Sequence, residues 1–172
     1  MEHLAVICPL DITADDRAWI EGIRAHHDPQ YGRVEAHFTL VFPITGVGVL
    51  GLTRHVEQIA ERTHAVAFRL NCARAVRDQL APQSHVFLTP DDGAAKIRRL
   101  HGLLYGGEFT PYLRTDIPYQ PHVTVAAFEA HSAAETLCKE IGVFEIPGSL
   151  CRLDVMSVEG DAIRREWSFR LL

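Results

Sequence analysis

Two short segments constrain this chain more than anything else in it: His37-Phe38-Thr39-Leu40 and His122-Val123-Thr124-Val125, half a chain apart in 172 residues. Each lies in an apolar run with strand alternation, AHFTLVF over 36–42 and PHVTVAAF over 121–128, and each run adjoins a proline, Pro43 or Pro121. Alternate side chains of a strand share a face. His37 and Thr39 therefore point one way, Phe38 and Leu40 the other, and His122 and Thr124 stand likewise against Val123 and Val125. Each strand offers an apolar row to a core and a His–Thr row to something polar.

The surroundings of the two segments repeat as well. Residues 4–9 read as a buried strand, followed by a helix from a Thr13 or Asp15 cap to about His27 with Trp19, Ile20 and Ile23 as its stripe. A turn at 31–33 leads to the first His–Thr strand. A loop over 46–51, a helix over 52–63 and a strand over 65–76 complete the first half. The pattern then restarts with a strand over 84–88 and a helix opened by Pro90–Gly93, running through Ile97, Leu100, Leu103 and Leu104 and stopped by Gly106–Gly107. A polar loop leads into the second His–Thr strand. A helix over 131–141, capped near Ser132, and strands over 143–147, 150–158 and 163–171 follow, the last two a hairpin around Glu159–Gly160–Asp161. The expected fold is α+β: a duplicated, two-lobed unit with antiparallel sheets flanked by helices, a central cleft and pseudo-two-fold symmetry. No Gly-rich βα turn supports a doubly wound parallel sheet. Residues 1–172 read as a single domain with lobes of about 1–80 and 81–172, the C-terminal hairpin free to cross between them.

If a pseudo-two-fold axis relates the halves, the two His–Thr rows face one another across a groove. That arrangement suits in-line phosphoryl transfer. One neutral imidazole takes a proton from the attacking oxygen and the other, protonated, returns one to the leaving oxygen. An ordinary pKa near ~6.5 lets histidine serve in both forms near neutrality. The threonine hydroxyls can donate to non-bridging phosphate oxygens. A single such segment on a strand would usually mark a structural histidine; the pair is what points to chemistry. A zinc site wants three or four ligands, and no Cys or acid is spaced helpfully to either segment, so no metal is expected.

The pair of segments resembles the two H-x-[ST]-x motifs of the 2H phosphoesterase superfamily, and within it the 2′-5′ RNA ligase and cyclic phosphodiesterase branch. The resemblance implies a bilobed fold, no cofactor, His37 and His122 as the catalytic pair, and Thr39 and Thr124 as the phosphate-binding hydroxyls. It implies action on a 2′,3′-cyclic phosphate or a 2′,5′-phosphodiester of RNA ends or nucleotides, with ligation as a possible reverse reaction. A non-catalytic binder of a terminal phosphate is the alternative, although such a protein could use arginine where this chain has histidine. Tyr119 and Phe42 could stack on a base, with core filling the competing reading for Phe42 on parity. Arg33 and Arg114, upstream of each motif, could reach a phosphate, against a reading as solvated loop residues. Lys96, Arg98 and Arg99 read as a solvated helix face. Of the ten histidines the remainder read as incidental, with His85, at the start of a strand, the first exception to look for.

Net charge is −5 with histidine neutral. A protein coating a long nucleic acid is normally basic, so the expected partner is a nucleotide or a short RNA end; a monomer is expected, with no stable protein partner. The opening residues carry no basic n-region, no stretch approaches the ~20 apolar residues of a membrane span, and the four cysteines form no CxxC pair. A cytoplasmic protein with reduced thiols is the expectation.

Overall fold

The computed structural model describes residues 2–172. Its elements are β1 (His3–Asp11), α1 (Ala14–His27), β2 (His37–Ile44), α2 (Val49–Ala60), β3 (Val66–Arg77), β4 (Ser84–Asp92), α3 (Ala94–Leu104), β5 (Val123–Phe128), α4 (His131–Ile141), β6 (Ile146–Leu150), β7 (Arg152–Glu159) and β8 (Ala162–Arg170). A 3-10 turn over Gly107–Tyr112 follows α3, where a polar loop was expected.

Local chemistry accounts for the main boundaries. Thr13, rather than Asp15, caps α1: its Oγ1 accepts the Asp16 N–H at 3.2 Å. Asp15 and Asp16 in the first turn and Arg24, His26 and His27 in the last complement the helix dipole. α2 begins at Val49 and ends at Ala60, three residues earlier at each end than the periodicity suggested, because the chain turns helical directly after Gly48 and carries Gly51 inside the helix. α3 starts from Gly93 at φ +84°, where a Cβ would lie 2.3 Å from the Ala67 carbonyl oxygen, so only glycine fits. β6 sits three residues later than the expected 143–147 strand, since its register is set by β3, with Ile146 opposite Leu70 and Leu150 opposite Val66. α4 begins at His131 after an Ala130 that makes no side-chain cap.

All eight strands belong to one antiparallel sheet in the order β2-β5-β4-β3-β6-β1-β7-β8, and β2 pairs again with β1. The pairings thus close on themselves through β1, β2, β5, β4, β3 and β6. β1 has β2 on one edge and β7, then β6, on the other; the chain switches partners at Cys151. β3, from the first half of the sequence, pairs with β4 of the second, while the β7–β8 hairpin returns to β1. Strand pairing therefore runs between the two halves of the sequence and ties them into one sheet.

One face of this sheet packs against the helices. Its core includes Val6, Phe38, Leu40, Val86, Leu88 and Val123, all essentially inaccessible, and Phe38 meets Phe68 edge-on at 5.2 Å. Burying each such side chain contributes about 1.5–3 kcal/mol. The opposite face carries the alternate residues of the same strands, His37 and Thr39 among them.

Candidate active site

β2 and β5 meet at Phe38 and Val123. Directly opposed residues of an antiparallel pair share a face. Because Phe38 and Val123 both enter the core, their neighbours point together to the other side: His37 level with Thr124, and Thr39 level with His122. This register places the two histidines diagonally, at a Cα separation on the order of 7–8 Å. All four side chains are half-buried. The expected His–Thr rows do come together, on adjacent strands.

The two histidines are held alike. His37 Nδ1 lies 2.7 Å from the Glu35 carbonyl oxygen and His122 Nδ1 lies 2.6 Å from that of Gln120, in each case two residues upstream. A carbonyl only accepts, so Nδ1 carries the proton in both rings and Nε2 is left with its lone pair when the ring is neutral. Burial is the main force on both titrations. It pushes His122 down to about 4, opposed by the Gln120 carbonyl and assisted by charge on His37 and His85. His37 is also lowered by burial, with the Arg24 guanidinium reinforcing the shift and Glu35 and Asp28 opposing it. Near neutral pH both rings are neutral. Among the described residues no group of three or more His, Cys, Asp and Glu side chains is gathered as a metal would need.

Strand β2 beyond Phe38 is braced from the second half of the chain. Tyr119 Oη donates to the Thr39 carbonyl at 2.9 Å, His101 Nδ1 donates to the Leu40 carbonyl at 2.8 Å, and the Phe42 N–H donates to Tyr105 Oη at 3.0 Å. These side chains satisfy backbone groups where β5 no longer lies alongside. Tyr119 is stacked on His101 at 3.7 Å with planes 5° apart, so one of its faces is taken. Phe42 is 41% exposed and meets Tyr119 edge-on at 6.2 Å. Core parity fails for Phe42 because the β1–β2 register slips between Ile7–Thr39 and Leu4–Ile44, burying Val41 and turning Phe42 outward.

Each of the two arginines is paired with a carboxylate. Arg33, exposed in the loop before β2, pairs with Asp161 of the β7–β8 turn at 3.3 Å. Arg114, exposed ahead of β5, makes a two-pronged contact with Asp116 at 2.8 and 2.5 Å that holds the Asp116 carboxyl down to about 2. Sequence reasoning missed His101 as a structural member of the site. The signal was present: Ile97, Leu100, His101 and Leu104 form the buried stripe of α3, whereas Leu103, expected there, is 45% exposed.

A model of the 2′-5′ RNA ligase superfamily matches residues 12–162. No curated protein matches the chain by sequence. Among solved structures, the Thermus thermophilus protein TT0787 superposes with a TM-score of 0.65 at 15% identity, covering 98% of this chain and 97% of its own. Escherichia coli LigT in complex with 3′-AMP superposes at 0.58 and 16% identity, covering 99% and 98%. Usb1 of Kluyveromyces marxianus gives 0.54 at 8% identity, covering 98% of each chain. At these identities the structures establish a shared fold. No helix is long and apolar enough among the described residues to cross a membrane.

Proposed function

The chain belongs to the 2′-5′ RNA ligase superfamily, and on that premise we propose that it is a metal-independent phosphoesterase. It acts on a 2′,3′-cyclic phosphate or 2′,5′-phosphodiester of nucleotides or RNA ends through paired general acid–base catalysis by His37 and His122. The observation that carries the reading is the register at Phe38 and Val123, together with the matching Nδ1 bonds that leave both Nε2 atoms for the substrate. In ring opening, the Nε2 of one neutral histidine takes the proton of the attacking water. The imidazolium form of the other donates its Nε2 proton to the departing ribose oxygen. Thr39 and Thr124 donate their hydroxyl protons to the non-bridging oxygens, where charge develops in the transition state. In the reverse direction the two histidines exchange roles, which allows ligation at the same site. Phe42 offers its exposed ring to a base, and Tyr119 acts by holding Thr39 in place.

The first test is incubation with 2′,3′-cyclic AMP and product analysis; a nucleoside monophosphate is expected, and the LigT complex with 3′-AMP makes a ribonucleotide the natural first probe. Binding without turnover would favour a phosphate-binding protein instead.

Two further results are expected. Both histidines titrate below their usual value in the free protein. Catalysis needs one protonated and one neutral, so kcat/KM should peak below pH ~6.5 and fall toward pH 8. A bound phosphate anion favours the imidazolium form, so the kcat profile should lie at higher pH than that of kcat/KM. Initial rates from about pH 3.5 to 9 check this, and a kcat/KM flat between about pH 5 and 8 would contradict it. Separately, Tyr119→Phe keeps the stack on His101 but removes the bond to the Thr39 carbonyl. A loss of about 1 kcal/mol corresponds to roughly a fivefold fall in kcat/KM, read in the same assay; an unchanged rate would remove Tyr119 from the site.

A further inference from the structure

The two histidines are alike in their Nδ1 bonds and unlike in what lies against their rings. Phe87 stands opposite Thr124 in the β4–β5 register, on the His–Thr face. Its ring stacks on His122 with centroids 3.7 Å apart and planes 17° apart. His85, two residues earlier on the same face of β4, stacks on Phe87 at 5.8 Å and 10°. Leu88 is level with Val123, which sets His122 level with Thr89, beyond Phe87 from His85. Phe87 thus separates two histidine rings. The outer ring is anchored: His85 Nε2 donates to Asp78 Oδ2 at 3.1 Å, and its Nδ1 is buried with no hydrogen-bond partner among the described residues. Asp78 accepts in turn from the backbone N–H groups of Leu80 and Ala81 at 2.7 and 3.2 Å. In the other half, Ile7 lies opposite Thr39 as Phe87 lies opposite Thr124, and Ala5 precedes it where His85 precedes Phe87. These two belong to a small aliphatic cluster with Met156.

A hydrogen bond at Nδ1 fixes one direction in the plane of an imidazole but leaves the ring free to tilt about it; contact across a whole face removes the tilt. We propose that Phe87, seated between His122 and the Asp78-anchored His85, is a positioning residue that fixes the plane of the His122 ring and so aims its Nε2 at the substrate phosphate, a restraint with no aromatic counterpart at His37 among the described residues. The titratable groups whose charge would act on His122 are His37 and His85, and Phe87 keeps the second of them one ring away. The catalytic consequence rests on the assignment of His122 proposed above; the restraint itself does not.

The test uses Phe87→Leu and Phe87→Tyr, with thermal unfolding as the control for folding. Two readouts are taken: 13C relaxation of the His122 ring, and kcat and KM for 2′,3′-cyclic AMP. The ring is expected to be rigid in the wild type and in Phe87→Tyr and mobile in Phe87→Leu. In Phe87→Leu, kcat should fall by about 10- to 100-fold, the scale of a small misplacement of a reacting group, with KM within about twofold. A His122 ring as rigid in Phe87→Leu as in the wild type would overturn the proposal, as would an equal loss of kcat in Phe87→Tyr. A ring that loosens as expected in a protein whose wild type does not open the cyclic phosphate would leave the restraint standing and remove the phosphodiesterase reading.

Discussion

His37→Ala and His122→Ala are each expected to slow opening of a 2′,3′-cyclic phosphate by about 10²- to 10⁴-fold, the span that positioned proton transfer supplies. KM should move far less than kcat, because the threonine hydroxyls and the remaining imidazole still meet the phosphate. The double variant should be little worse than either single one, since an acid without its base accomplishes almost nothing and such pairs act as a unit. Both variants should fold: each ring is half-buried on the His–Thr face, away from the apolar side of its strand, and the carbonyls of Glu35 and Gln120 that lose an Nδ1 donor belong to exposed residues within reach of water. Steady-state kinetics with circular dichroism as the folding control measures this. A single variant retaining most of the activity would reject the catalytic pair.

The second large effect is on stability, at Arg24. Its side chain is 1% exposed, yet it carries a full charge. Nε donates to Asp28 Oδ2 at 2.7 Å, Nη1 to Glu21 Oε1 at 2.8 Å and Nη2 to the Val34 carbonyl at 2.9 Å. Glu21 Oε1 also accepts the Ala36 N–H at 2.9 Å. The last turns of α1 therefore fasten the segment that delivers His37 into β2. Arg24→Leu leaves the Asp28 carboxylate, 5% exposed, without its partner. Removing one member of a buried ion pair costs about 3–5 kcal/mol, which in a chain of this size lowers the melting temperature by roughly 10 °C. The same substitution removes a positive charge that depresses His37, so the His37 titration should move up toward its ordinary value. Thermal unfolding and histidine NMR titration read the two effects. An unchanged melting temperature would show that the buried charge network contributes nothing net.

Much of this fold was readable from residue patterns because its elements are regular and its halves repeat. The alternation in HFTL and HVTV assigned both faces correctly, with Phe38 and Val123 in the core and the His–Thr rows opposite. Strand order was not readable. It depends on which edges pair across long sequence separations, and no local property announces that β2 meets β5, that β6 joins β3, or that β7 returns to β1. Phe42 shows how a local rule fails: parity placed it inward, and a register slip with no marker of its own turned it out. His101 and His85 show the opposite case. His101 occupies a position where the helical pattern demands burial, and His85 shares a face with Phe87; in both, polarity obscured the placement. Arg24 was invisible for a related reason, since an arginine on α1 reads as surface until its three acceptors are located in space.

The central claim is that imidazoles from opposite halves of the chain address one phosphorus atom. A crystal structure of the protein with a bound 2′- or 3′-nucleoside monophosphate measures it directly. Both Nε2 atoms are expected within hydrogen-bond distance, about 2.6–3.2 Å, of oxygens on the same phosphate, with Thr39 and Thr124 Oγ1 on its remaining oxygens. A phosphate held by one histidine alone, or lodged away from the Phe38–Val123 crossing, would contradict the account.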